Sequence, residues 1–347
     1  MYGSPDIRQI DGIGGADPLT SKLAIIGPPT RADADVDYTF AQVSIDRPFV
    51  DYAGNCGNIS SAVGPFAIDE GLVDAVEPVT KVRIHQTNTR CILVAEVPVV
   101  NGKAAVEGDY HLDGVPGSGA RIRLDFSDTA GAISGRLLPT GNPLDCLDIP
   151  GGGSIEVSVI DAGTPTVFVR ATDLGLKGTE TPAEIDANRG LNERIERIRG
   201  TVAAWMGLVD DWRQAAEKSP YLPFFALVGE PADYPDFTTG RYVRAEEVDF
   251  TSRLLFMLKT HKAYPVTGAV ATGTAAKTPG TIVFELVRPE SHRREEIRIG
   301  HPAGVLEIEV SVQREGEEIR LTRAAISRTA RRIMEGYILV PWSTWER

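Results

Sequence analysis

Twice along this chain a helix-compatible segment built largely of small residues stands among short strands, and that pairing restricts the fold more than any other feature. GNCGNISSAVGPFAIDEGL carries Ser60, Ser61, Ala62, Gly64 and Ala67, and VTGAVATGTAA runs from Val266 to Ala276. Side chains this small let neighbouring backbone approach closely, so each segment reads as a helix held inside a curled sheet. Alternating apolar and polar residues, punctuated by Gly, Pro and Asp, predict strands at Lys22 to Ile26, Tyr38 to Ile45, Lys81 to His85, Cys91 to Val100, Arg121 to Phe126 and Ile155 to Val159. A second set is predicted at Thr281 to Leu286, Arg294 to Ile299, Val305 to Val312 and Ile319 to Ile326. Between the sets, Thr181, Pro182 and Glu184 form a capping signal, and apolar Leu191, Ile195, Ile198 and Val202 follow at helical period. The halves echo each other in architecture, not in identical residues.

A length of 347 residues favours two domains, placed at 1–165 and 166–347 with the last strands free to return to the first. The class is α+β. Hydrophobic residues at 42% and charged residues at 24% are ordinary for a globular chain, so disorder is not the default. A formal net charge of −12, with no Lys/Arg stripe interleaved with aromatics, argues against a nucleic-acid partner. It does not exclude a small acid, which responds to local N–H groups and one or two cations. Three scattered cysteines suit a reducing cytoplasm and make neither a disulfide framework nor a paired CxxC zinc site. No apolar run of about 18 residues and no signal core is present, so no membrane span or export is expected.

Several motifs fail on inspection. Gly12-Ile13-Gly14-Gly15-Ala16-Asp17 has aspartate where a dinucleotide loop needs its third glycine. Asp33, Asp35 and Asp37 lack the turn glycine and closing glutamate of a calcium loop. The five histidines show no metal spacing, although His301 sits in a glycine-bounded turn, Gly300-His301-Pro302-Ala303-Gly304, where backbone could approach a ligand. A simple turn between strands explains that segment equally well. Cys91 falls in an alternating strand and reads as a buried thiol; Cys146 lies in a Pro/Gly-rich loop. Cys56 differs, because Gly54 and Gly57 flank it, Asn55 and Asn58 interleave, and a helix pattern begins at once. A helix N-terminus lowers a thiol pKa and offers N–H groups to anions. On residues alone, a reactive and a packed thiol both stand open.

GSPDIRQIDGIGG, LTSK, DVDYTFAQVSID, DYAGNCGNISSAVGPFAIDEGLV, TGTETPAEID, TGAVATGTAAKTPGT, IGHPAG and ISRTARRIMEGYILVP together resemble the PrpF family, the 2-methylaconitate isomerases. The resemblance implies a diaminopimelate epimerase-like fold, two similar domains each wrapping sheet around a central helix, with the active site in the cleft between them. It puts the working lysine and cysteine at Lys22 and Cys56. Substrate contacts are further expected from the N–H groups around Asn55, Gly57 and Asn58, from Thr267 and Gly268 by the echo of the halves, and from Ser21, His301, Ala303 and Gly304. The implied activity is a cofactor-independent 1,3-proton shift on a small unsaturated di- or tricarboxylic acid, needing no metal, in a cytoplasmic protein that can be a homo-oligomer. A two-base racemase of the same fold and a non-catalytic carboxylate-binding protein are the alternatives; the racemase commonly needs a second thiol, and no cysteine follows Cys146. The chain departs from the family pattern in starting at Met1-Tyr2-Gly3-Ser4 without a glycine-rich segment upstream, in having Asp17-Pro18-Leu19 before the TSK, and in Ala303. A late start or truncation, with weaker substrate binding, is the expectation from the first of these.

The chemistry needs a base, a proton donor and groups that hold carboxylates, while a conjugated carboxylate takes up the charge as a dienolate. Lys22 is expected as the base and Cys56 as the partner that positions a carboxylate or returns the proton. Bringing an amine from about 10.4 to neutral pH means about 4 kcal/mol of differential stabilisation, and a bound polyanion opposes it. The site must therefore neutralise the substrate with other groups, and the N–H groups around Asn55, Gly57 and Asn58 are the candidates at one carboxylate.

Overall fold

A computed structural model describes residues 1–52, 56–113, 115–316 and 318–344. Its elements form an α+β fold. Two compact units emerge, one of Met1–Tyr110, Ser118–Ile122 and Arg328–Arg347, the other of His111–Gly117 and Arg123–Ser327. The units part elsewhere than at residue 165, because residues 123–165 contribute strands to the second sheet and 328–347 group with the first unit.

In the first unit the alternating sequences behave as their period demands. Lys22–Gly27 pairs antiparallel with Val36–Val43, which runs parallel to Val79–Gln86, itself antiparallel to Cys91–Val100. In Cys91–Val100 every second residue is buried, from Cys91 to Val99. The expected helix comes as two pieces, Gly57–Ser60 and Val63–Asp69, with a turn at Ser61 and Ala62. The second piece packs on Val79–Gln86 and Cys91–Val100. A Cβ on Gly64 would stand 2.8 Å from Val97 Cγ2 and 2.9 Å from Ala95 Cβ, which is why this position has none.

The second unit holds a sheet in the order Glu318–Arg328, Gly304–Glu315, Glu296–His301, Phe250–Phe256, Phe224–Gly229, Thr166–Arg170, Gly153–Ile160, Asp145–Ile149. Val266–Lys277 packs on strands from both arms of this sheet and is buried from Val266 to Ala276. The opposite face is covered by Arg189–Trp205, whose Leu191, Ile195, Ile198 and Val202 pack on Val157, Val169, Phe225 and Leu227. Each such burial contributes about 1.5–3 kcal/mol. The capping box is present: Thr181 Oγ1 accepts from Glu184 N while Glu184 accepts from Thr181 N.

Three sequence expectations need correcting. Thr281 to Leu286 is not a strand: Thr281 Oγ1 accepts from Phe284 N, caps the short helix Ile282–Leu286, and so satisfies a donor that a strand would offer sideways. Cys146 lies not in a loop but on the edge strand Asp145–Ile149, where it is exposed. The strands Thr166–Arg170, Phe224–Gly229 and Phe250–Phe256 were not expected, since buried residues occupy both faces and leave no alternation to detect. Among the described residues no helix is long and apolar enough to cross a membrane.

Candidate active site

Lys22 opens its strand opposite Gln42, and Gln42 faces Asp51 on its other side. Asp51 ends the short strand Val50–Asp51, and the helix Gly57–Ser60, packed against the Lys22–Gly27 strand, follows soon after. Cys56 sits at its head in extended conformation, with its carbonyl taking Ser60 N and Ser60 Oγ. The result is a direct contact: Lys22 Nζ donates to Cys56 Sγ at 3.3 Å, both side chains being partly accessible.

A third group joins them that sequence reading did not single out. Arg328, the last residue of its strand, is only 7% exposed, and its Nε donates to Asn58 Oδ1 at 3.0 Å. Burial pulls its pKa down to about 10, with Tyr110 and Cys56 acting in the other direction, so it is a cation at neutral pH. Only its place among Arg328, Arg331 and Arg332 was visible in the sequence, and such a run ordinarily reads as a solvated face. Tyr38 is fully buried on the neighbouring strand, with Ser60 and Cys56 as polar neighbours. Burial pushes its phenol well above the ordinary value.

The other expected residues have identifiable partners. Ser21 is buried and its hydroxyl donates to Gln9 Oε1 at 3.0 Å, which also takes Ala16 N; the serine thereby ties the N-terminal turns to the Lys22 strand. Gly57 is buried in the first turn and Asn58 is exposed beside it. Asn55 lies outside the described residues.

Within the second unit, Thr267 and Gly268 occupy the first turn of Val266–Lys277. Thr267 Oγ1 accepts from Thr164 Oγ1 at 2.8 Å, and a Cβ on Gly268 would come 2.6 Å from Leu254 Cδ1. His301 stands near this turn through Tyr264, their rings 6.3 Å apart. His301 pairs with Gly304 across a two-residue turn of Pro302 and Ala303, so the strand-to-strand reading of this segment is the observed one. Its glycine has a physical cause: Gly304 has φ 132°, and a Cβ there would stand 2.3 Å from Asp113 Oδ2, which takes Val305 N. Backbone does approach closely here, and what it approaches is a carboxylate of the same unit.

A groove of about 350 Å³ beside Arg189–Trp205 and one of about 920 Å³ between Met1–Ile13 and Met334–Pro341 contain none of the expected site residues. The Lys22–Cys56 contact lies outside both. Chemically, an amine and a thiol in hydrogen-bond contact can pass a proton between them, and amine–thiol and ammonium–thiolate are two forms related by that transfer. Each form contains one base and one acid.

Comparison with known proteins gives the chain's family. A family described as PrpF protein matches residues 1–341. A 3-methylitaconate isomerase of Eubacterium barkeri is 54% identical over 340 residues, 98% of this chain and 88% of that protein. A 2-methyl-aconitate isomerase of Shewanella oneidensis is 42% identical over 350 residues, covering 98% and 87%. A crystal structure of methylitaconate-delta-isomerase superposes with a TM-score of 0.89 at 53% identity, over 97% of this chain and 86% of that one.

Proposed function

The chain belongs to the PrpF family, and on that premise we propose that it is a cofactor-independent isomerase moving a double bond in a small unsaturated di- or tricarboxylic acid of the methylitaconate or 2-methylaconitate kind. The observation that carries the reading is the 3.3 Å contact between Lys22 Nζ and Cys56 Sγ. One member of the pair removes an allylic proton; the other returns a proton at the far allylic carbon. Between the two steps the charge is held as a dienolate by the substrate's own conjugated carboxylate. Such general acid–base transfer contributes about 10²–10⁴-fold each way.

A two-base racemase of this fold calls for a second thiol near the matching helix start. Here Pro265, Val266, Thr267 and Gly268 stand at that place, Cys91 is buried in a strand and Cys146 is on an edge strand. Three free cysteines also accord with a reducing, cytoplasmic setting.

The test is incubation with 2-methylaconitate, methylitaconate, aconitate and oxalomesaconate in heavy water, followed by NMR. Deuterium entering allylic positions together with interconversion of isomers is expected. Exchange confined to the α-carbon of amino acids supports the racemase instead, and no exchange with any substrate overturns catalysis. Activity should also survive dialysis against a chelator; loss that zinc or iron restores refutes the cofactor-independent mechanism.

A further inference from the structure

The Lys22–Cys56 contact leaves open which atom of the pair is the resident base, and the surroundings of Cys56 bear on that choice. The titratable groups set against Cys56 include Lys22 on the first strand, Tyr38 on the second and Arg328 at the end of the last. Asp51, on the short neighbouring strand, is exposed to solvent. Tyr38 is buried and neutral at working pH. Arg328 also has Tyr110 as a neighbour, whose ring Arg121 covers at 5.0 Å. Arg328 thus sets a permanent positive charge beside the sulfur.

Arg328 is suited to this task in a way that a surface arginine is not. Its guanidinium does not titrate in the working range, and at 7% exposure its field is screened far less than that of a solvated side chain. The hydrogen bond to Asn58 Oδ1 at 3.0 Å fixes it to the first turn of the helix that Cys56 heads. A fixed cation favours the form of the pair with negative sulfur and disfavours a further proton there.

We propose that Arg328 is a positioning residue for the reacting pair: it grips Asn58 in the turn that carries Cys56 and holds there a buried positive charge that favours the thiolate over the thiol. Cys56 is then the thiolate base and Lys22 the ammonium acid, the reverse of the roles expected from sequence alone. This assignment rests on the reading of Lys22 and Cys56 as the reacting pair. In the reaction, the thiolate takes the allylic proton and becomes a thiol, the substrate becomes a dienolate, and the ammonium gives its proton to the far carbon. Proton transfer from thiol to amine restores the starting pair, so no redox partner is needed.

The experiment reads the thiol directly and needs no substrate. Alkylation of Cys56 by iodoacetamide is followed against pH by mass spectrometry of its peptide in wild type, Arg328→Lys, Arg328→Gln and Asn58→Ala, with melting curves to establish folding. Removing a positive charge weakens the thiolate, so Arg328→Gln should move the alkylation midpoint up by about one unit and slow the reaction at pH 7 about tenfold. Arg328→Lys should restore most of it. An unmoved midpoint in folded Arg328→Gln overturns the proposal, even if the variant melts earlier. Should that variant fail to fold, Asn58→Ala, at an exposed position, should still slow alkylation at pH 7; an unchanged rate there overturns the proposal too. Because alkylation is independent of turnover, a shifted midpoint without any isomerase activity would sink the functional reading and leave Arg328's effect on the thiol standing.

Discussion

Lys22 Nζ donates to Cys56 Sγ across 3.3 Å, so the two residues occupy different ends of one contact and removing one should not be equivalent to removing the other. With the thiolate as base, Cys56→Ser, nearly isosteric but a far weaker acid, should lose allylic solvent exchange by about 10²-fold or more. Lys22→Ala should keep measurable exchange, since proton removal survives, while isomerisation falls as proton return is impaired. Following both by NMR in heavy water separates the steps. Exchange abolished in Lys22→Ala but retained in Cys56→Ser would return the base to the lysine. Both residues were legible in the sequence, one through the TSK segment and one through the glycines and asparagines around Cys56. Arg328 was not, because burial of a single arginine is a tertiary fact and its partner Asn58 lies 270 positions away.

At the scale of elements, packing around the central helices explains which strands the sequence announced. Cys91–Val100 faces core on one side and alternates; Phe224–Gly229 is buried at every position and shows only an apolar run. The same crowding governs the second small-residue helix. A Cβ on Gly273 would lie 2.7 Å from Val310 Cγ2 and 2.9 Å from Ile308 Cγ2. Gly273→Ala gains about 1 kcal/mol of helix propensity, but overpacking costs about 1–3 kcal/mol, so a net loss of up to about 2 kcal/mol is expected in urea denaturation. A more stable variant would mean that helix and sheet can move apart. Strand ends are tied by charge as well. Asp249, wholly buried, takes Arg294 Nη2 at 2.6 Å, and Arg298 through Nη2 at 2.9 Å and N at 2.8 Å. Burial opposes its ionisation, yet the bonds from Arg298 outweigh that and hold the carboxyl below its usual range. A depressed carboxylate contributes stability above its unfolded pKa of about 4, and loses it as pH falls through the folded value. Asp249→Asn should therefore cost about 2 kcal/mol at pH 7, less than for a fully buried pair because both arginines reach solvent. Wild type and variant should converge on acidification; a gap that stays constant with pH would show that charge is not the cause.

At the scale of the whole molecule, the two-part organisation was legible from the repeated small-residue segment, while the route of the chain between units was not. Residues 123–165 carry the alternation of ordinary strands and nothing in it says which sheet they join. One further consequence attaches to Val266–Lys277, the helix buried from Val266 to Ala276. Most helices can fray or lift off into water while the rest of a domain stays folded. This one has no wet side to open toward, and its last turn is fastened by Lys277 Nζ to the carbonyls of Ser291, His292 and Arg294. Its amide hydrogens can meet deuterium only when the surrounding sheet comes apart. They should be among the slowest in the protein, and their exchange should report the free energy of opening that entire unit in one cooperative event.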